Sequence, residues 1–320
     1  MLAHHFRFLL FLELVGYAVV GVWLRVALGW SIAAIVAAAL ACALGGRLAT
    51  VGVSTAIGLA AGRGRAPEER LAAGALARLV LSEWRAVLLN NFCFVPWERW
   101  CLRPDAQPVA AEGVPVVLVH GYFANRGYFA ALVRSLEAGG VSPVFAPNFT
   151  STSASIERFA DELHAEIERI ARATRQPRVV LVCHSMGGLA ARCYLCRHGA
   201  ARVAKLITIA SPHGGTLLAR FASGPNARQM HRESAFLRQL CAREAESRPS
   251  CDVTSIYSPH DNLVVPQATS RLAWARNIAL PGHGHVGILL SRRLAEILLE
   301  ELGEARSPLA SYRSASTSAA

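Results

Sequence analysis

Lysine is nearly missing from this chain: of the 33 basic residues, Lys205 alone is a lysine, and the rest are arginines. Dense Lys/Arg runs with interleaved aromatics are also missing, which excludes a nucleic-acid-binding face of the usual kind. The formal charge of +11 therefore has two readings, attraction to anionic lipid headgroups or an arginine bias with no use. A disulfide framework is missing too. Eight cysteines are scattered without a repeat. Cys193-Tyr194-Leu195-Cys196 has the spacing of a redox pair or half a zinc site, but it falls within helical spacing and no second pair with matching histidines follows. These are packing thiols. No metal or other cofactor is called for, and nothing demands an oxidising compartment.

Apolar sequence, by contrast, is abundant. Hydrophobic residues make up 53% of the 320 positions and mean hydropathy is +0.32, high for a purely soluble chain. Phe8 to Leu24 is broken only by Glu13 and flanked by Arg7 and Arg25. Ser31 to Gly46 and Leu48 to Ala61 form a second apolar region, interrupted by Arg47. Together residues 1–62 read as a transmembrane helical hairpin, with a kinked long helix or a span plus a re-entrant piece as alternatives. Glu13 and Arg47 are costly in hydrocarbon and are expected to pair across the two helices. A cleavable signal peptide competes for the first segment. No convincing small-x-small site precedes Trp30, however, and the second apolar block would outlast cleavage. Arg7 on one flank and Arg63, Arg65 and Arg70 on the other outnumber Arg25 in the connection, which puts both flanks in the cytoplasm.

Residues 63–112 join this region to the rest. A polar linker from Gly62 to Pro67 leads into an amphipathic helix from Pro67 to Asn90, with Leu76, Leu79, Val80, Val87 and Leu88 at helical intervals. Phe92 to Trp100 is dense in aromatics and reads either as a membrane-surface element or as a clasp on the following domain. Pro104 to Gly113 is a loop and a domain boundary.

From residue 113 to 302 strand and helix patterns alternate, which predicts a mostly parallel sheet covered on both faces. Strands are expected at Val114–Val119, Val141–Ala146, Arg178–Val182, Val203–Ala210, Val253–Tyr257 and Asn277–Leu280. A closing helix is expected over Val286–Leu302, and a disordered tail over 303–320. Residues 216–250 mix apolar side chains with arginines between two strands, as an insert or lid over a site would.

Val182-Cys183-His184-Ser185-Met186-Gly187-Gly188 joins a β-branched run to a helical segment. A serine in such a strand-to-helix turn projects its hydroxyl from the sheet's carboxyl edge above a helix N-terminus, making it a nucleophile elbow; the plain alternative is an ordinary strand–turn–helix. The usual form is G-x-S-x-G. Cys183 stands at the first glycine position, and Gly187 keeps the second. After the first strand of the domain, His120-Gly121-Tyr122 turns at the same edge, where the N–H groups of Tyr122 and Met186 can form an oxyanion hole. Asp261 follows another strand, where it can orient an imidazole or simply form a turn. Base candidates are His285 and His283, both between the last strand and the last helix; His285 is preferred because it directly precedes the apolar helix that would hold it.

These motifs resemble the α/β-hydrolase family, nearest its bacterial triacylglycerol lipases and esterases. The likeness rests on His120-Gly121-Tyr122, on Cys183 to Gly188, on Thr208 to Thr216 (Thr-Ile-Ala-Ser-Pro-His-Gly-Gly-Thr), on Tyr257 to Asp261, and on Gly284-His285. The resemblance implies an α/β-hydrolase fold and hydrolysis of carboxylic esters through Ser185, Asp261 and His285, by acyl transfer to serine and release by water. It covers the last two thirds of the chain. Some relatives carry a structural calcium, but no acidic cluster here would supply its ligands. The expected substrate is a lipid or other ester met at a membrane, the bacterial inner membrane, with membrane lipids as partners and oligomeric state open. Transfer of the acyl group to another acceptor by the same triad, and a non-catalytic membrane scaffold, remain as alternatives.

Overall fold

The computed structural model describes residues 2–62, 70–103, 113–149 and 153–306. The expected linker 63–69, most of the boundary loop at 104–112 and the tail from 307 lie outside the described residues. Six parallel strands form one sheet in the order β2-β1-β3-β4-β5-β6, with β1 at Val116–Val119, β2 at Val144–Phe145, β3 at Val179–His184, β4 at Val203–Ile209, β5 at Asp252–Tyr257 and β6 at Arg276–Ala279. β3 lies between β1 and β4, so whatever follows it emerges at the middle of the carboxyl edge. The strands are continuously apolar because helices cover both faces. On one face Val117, Val119, Leu181 and Cys183 pack with Phe159, Leu163 and Leu189. Alternate residues Val116, Leu118, Val180 and Val182 pack on the other with Leu132, Leu136 and Leu298.

Ten α-helices surround or precede this sheet among the described residues: α1 (Leu2–Leu28), α2 (Ile32–Ala61), α3 (Ala73–Leu89), α4 (Glu98–Cys101), α5 (Ala130–Ala138), α6 (Ile156–Thr174), α7 (Met186–His198), α8 (Pro225–Gln229), α9 (Ala235–Glu246) and α10 (Arg292–Arg306). α6 starts where its sequence signals it, the Ser155 hydroxyl accepting from the N–H of Arg158 at 3.3 Å.

Three elements depart from the expected bounds. β2 is two residues long because Pro143 has no N–H to offer the ladder, although its carbonyl accepts from Val116. Val286 to Leu290 does not open the closing helix. Gly287–Leu290 is a separate 3₁₀ turn, and α10 begins at Arg292. α10 also runs past Leu302 to Arg306, with Glu304 3.5 Å from the ammonium of Lys205.

α1 and α2 are antiparallel, joined by Gly29 in the left-handed region (φ +67°) and by Ser31, whose hydroxyl caps Ala34. With 27 and 30 residues they are about 40 and about 45 Å long, enough to cross a hydrocarbon core of about 30 Å. Both are long and apolar enough to span a membrane, a test that a signal sequence near an N-terminus also passes. α2 passes through Arg47 as one helix. There the guanidinium donates to both Glu13 carboxylate oxygens (2.9 and 2.8 Å), Tyr17 adds its hydroxyl proton at 2.7 Å, and the Phe92 ring lies 4.4 Å from the guanidinium carbon. The expected cross-helix pair is thus present.

α3 connects this hairpin to the sheet. Trp84 donates its indole N–H to the Leu44 carbonyl of α2 (3.0 Å), while Leu79, Glu83 and Ala86 face inward and are buried. The aromatic stretch divides: Val95 is buried and its carbonyl accepts from Asn125, whereas Trp100, stacked on Trp97, is 82% exposed.

Candidate active site

Ser185 closes β3 with φ +56° and ψ −128°, a conformation that non-glycine residues rarely hold. Tight packing enforces it. A Cβ on Gly187 would stand 2.4 Å from the Val119 carbonyl oxygen, and one on Gly188 would stand 2.2 Å from the Ser211 hydroxyl, so the helix following Ser185 can approach β1 and β4 only as glycine. Cys183 is fully buried in the core between β1 and β4, where its small side chain fills the place that the usual motif gives to glycine. Burial pushes its thiol far above the ordinary range, and it stays a neutral packing group.

The loop after β5 delivers Asp261, 1% exposed. Its Oδ1 accepts from the N–H groups of Leu263 and Val264 (2.7 and 2.8 Å), leaving Oδ2 2.9 Å from Nδ1 of His285. Nε2 of His285 lies 3.0 Å from the Ser185 hydroxyl. A carboxylate at Nδ1 fixes the tautomer: Nδ1 carries the proton and Nε2 accepts from Ser185. Burial pulls the His285 pKa down, but the Asp261 carboxylate, helped by Glu83, outweighs it and holds the imidazole above its ordinary value. His283 is elsewhere, its Nδ1 2.9 Å from the carbonyl of Pro281. Of the two candidates only His285 joins serine to aspartate.

His285 is gripped from several sides. Its N–H donates to the Asn262 side-chain carbonyl (2.9 Å), and its own carbonyl accepts from Nε2 of His184 (3.0 Å), whose pKa burial and the nearby His285 drive far down. The next two N–H groups, of Val286 and Gly287, donate to the Glu83 carboxylate at 3.0 and 2.6 Å. Asn262 in turn donates to the hydroxyl of Ser54, and Gln267 donates to the carbonyls of Gly58 and Asp261 (3.2 and 2.7 Å). None of Ser54, Glu83 or Asn262 was legible as a site residue. The one available signal was Glu83 itself, an acid seven residues before Asn90 and four after Leu79 on the buried face of α3.

The expected oxyanion loop sits beside Ser185. A Cβ on Gly121 would lie 2.8 Å from Cβ of Ser185 and 3.1 Å from the Met186 nitrogen, so the Gly121–Tyr122 peptide borders the amide at the start of α7. The Tyr122 hydroxyl donates to the Ser223 carbonyl at 2.9 Å, tying this loop to the insert. His120 is buried and accepts from the Phe149 N–H; burial lowers its pKa to about 4, so it stays neutral.

A cavity of about 330 Å³ opens over Ser185 and His285, within the range of about 300–1,000 Å³ common for small-molecule sites. Its walls are mostly apolar, from Leu218, Ala219, Phe221 and Met230 of the insert and Leu263 and Val264 of the acid loop. Phe123, Phe221 and Leu263 are exposed around it. Phe6 of α1 packs on Phe123 with ring centroids 5.4 Å apart, so one end of the hairpin meets this rim. The far half of the insert is fastened: Arg192 of α7 and Glu244 of α9, each 1% exposed, form a two-pronged ion pair at 2.8 and 2.6 Å.

Residues 114–252 match the family described as alpha/beta hydrolase fold. The triacylglycerol lipase of Vibrio cholerae serotype O1 is 32% identical over 115 residues, 34% of this chain and 36% of that protein. The triacylglycerol lipase of Pseudarthrobacter phenanthrenivorans is 34% identical over 125 residues, 36% of this chain and 38% of that protein. The chain thus matches little more than a third of the length of these relatives. The crystal structure of Aspergillus fumigatus lipase B superposes with a TM-score of 0.54 at 21% identity, over 59% of this chain and 52% of that one, a likeness of fold. Asp261 and His285 lie beyond the segment that matches the family.

Proposed function

Starting from an α/β-hydrolase fold with bacterial triacylglycerol lipases among its relatives, we propose that this chain is a membrane-anchored serine hydrolase of lipidic carboxylic esters. The observation that carries the reading is the unbroken contact from Ser185 through His285 to Asp261, at 3.0 and 2.9 Å. His285 takes the serine proton as Oγ attacks the ester carbonyl, and Asp261 stabilises the imidazolium that results. The Tyr122 and Met186 amides receive the developing oxyanion. Collapse of the tetrahedral intermediate breaks the ester C–O bond, His285 protonating the departing alcohol. Water then repeats the sequence to release the acid.

The apolar wall supports a hydrocarbon acyl chain over a polar one. Anchoring by α1 and α2 supports a substrate drawn from a bilayer. The N-terminal end of α1 lies at Phe123 and the C-terminal end of α2 at the Asp261 loop, so the exposed rim and the apolar hairpin share one side of the molecule. The basic flanks support a reading in which this side faces the cytoplasmic leaflet. Hydrolysis of p-nitrophenyl esters of increasing chain length by the full chain in detergent or vesicles tests the reading. The expected result is kcat/KM rising from acetate to medium chains, with activity abolished by Ser185→Ala. A sharp preference for acetate contradicts the lipidic assignment, and an active Ser185→Ala contradicts the mechanism.

A further inference from the structure

The residues immediately after His285 meet a carboxylate from a helix outside the sheet. Glu83 is fully buried, and its two oxygens accept from the successive amides of Val286 and Gly287 at 3.0 and 2.6 Å. The glycines on either side of His285 make room for it. A Cβ on Gly284 would stand 2.4 Å from Oε2 of Glu83, and a Cβ on Gly287 would stand 2.9 Å from the same atom. The Gly-His-Val-Gly sequence is therefore shaped around this acid. Charged acceptors of backbone N–H groups make short, strong bonds, and here two of them act on adjacent peptides in a site closed to water.

We propose that Glu83 is a positioning residue for the general base, its carboxylate clamping the 284–287 backbone so that the His285 imidazole stays aligned between Asp261 and Ser185. This rests on the serine-hydrolase reading above. The four neighbours with chemistry of their own around His285 are Ser185 on the elbow, His184 on β3, Asp261 on the loop after β5, and Glu83 on α3. Glu83 does not touch the reacting atoms. It acts through the loop, and its charge adds to that of Asp261 in favouring the imidazolium. Burial, with a smaller push from the Asp261 charge, holds the Glu83 carboxyl above its ordinary value, against the two amide donors and His285, which favour the ionised form.

The test is Glu83→Gln in the full chain, assayed on a medium-chain p-nitrophenyl ester beside wild type and Ser185→Ala, with a thermal melt of each. Glutamine keeps the shape but turns an NH₂ towards one of the two amide donors. The expected result is a folded enzyme whose kcat falls on the order of 10- to 100-fold with KM changed less than about threefold, as for a misaligned base. The acid limb of its pH profile is expected at lower pH than in wild type, because a negative charge near the imidazolium is gone. Wild-type kcat and an unmoved acid limb in a folded Glu83→Gln overturn the proposal. Should that variant not fold, Gly287→Ala intrudes on the same carboxylate from the other side and is expected to show the same loss of kcat; wild-type kcat there overturns it. Failure of both variants to fold also overturns it, since the acid would then hold the fold instead of the base. An inactive Ser185→Ala together with an unaffected Glu83→Gln would leave the hydrolase reading intact and remove only this one.

Discussion

The side-chain amide of Asn262 donates to the hydroxyl of Ser54 at 2.8 Å, although 208 positions separate them. Its other end accepts from the N–H of His285, so a single asparagine joins α2 to the loop bearing His285. The apolar hairpin is consequently more than a tether. Removing residues 1–62 is expected to abolish esterase activity and lower the melting temperature instead of liberating a soluble enzyme. In the intact chain Ser54→Ala is expected to cost about 1 kcal/mol, measured by denaturant or thermal melt. A truncated chain with full activity would show that these contacts are dispensable.

Glu13 and Arg47 join the two apolar helices to each other. Either one left alone in an apolar helix pair is an uncompensated charge, so Glu13→Gln or Arg47→Gln singly is expected to destabilise the detergent-solubilised protein by roughly 2–4 kcal/mol. The double change, which leaves no charge stranded, is expected to lie closer to wild type than either single one. Equal and additive losses would mean that the ion pair seen across α1 and α2 carries no coupling.

Arg192 and Glu244 make the corresponding test for the insert. Both are buried to 1% exposure, and Arg192 also donates to the His213 carbonyl at 3.1 Å. Glu244→Ala strands the guanidinium and is expected to cost roughly 3–5 kcal/mol, seen as a large fall in melting temperature. Arg192→Met with Glu244→Leu is expected to recover most of it. The pair fastens α9 to α7, so any opening of the site falls to the stretch from Leu217 to Gly224, tied to Tyr122 through Ser223.

In the proposed mechanism His285 sets the pH dependence. His285 must be neutral to take the serine proton, and burial, outweighed by Asp261 with help from Glu83, leaves its pKa above the ordinary 6.5. As pH falls through that raised value the imidazole gains a proton at Nε2 and the rate falls with it. The pH profile of kcat/KM is expected to show one acid limb with a midpoint above 6.5. A midpoint well below that would mean that the carboxylate does not reach the imidazole in solution.

Much of the sheet was legible because a strand covered on both faces leaves a continuous apolar run, as in Val116–Val119 and Val179–Val182. Ser185 was legible because the elbow is a local constraint, written in Gly187 and Gly188. His285 and His283 could be ranked but not separated, since two residues of sequence decide which ring turns towards Ser185. Contacts between distant segments leave no local signature. Glu83 reads as one acid on an amphipathic helix, because nothing local shows Gly284 and Gly287 against it, and Val286 to Leu290 reads as helical because an apolar run does not reveal that its turn closes before α10 begins at Arg292. The Glu13–Arg47 pair is the exception: two charges in otherwise apolar segments have few other partners.

The most direct measurement is labelling of the full chain with a fluorophosphonate, with the modified peptide identified by mass spectrometry. A single adduct on Ser185 is expected, lost in Ser185→Ala and slowed by at least about 100-fold in His285→Ala. No adduct on a folded, membrane-reconstituted chain, or an adduct that persists without Ser185, would contradict a nucleophilic serine and with it the hydrolase assignment.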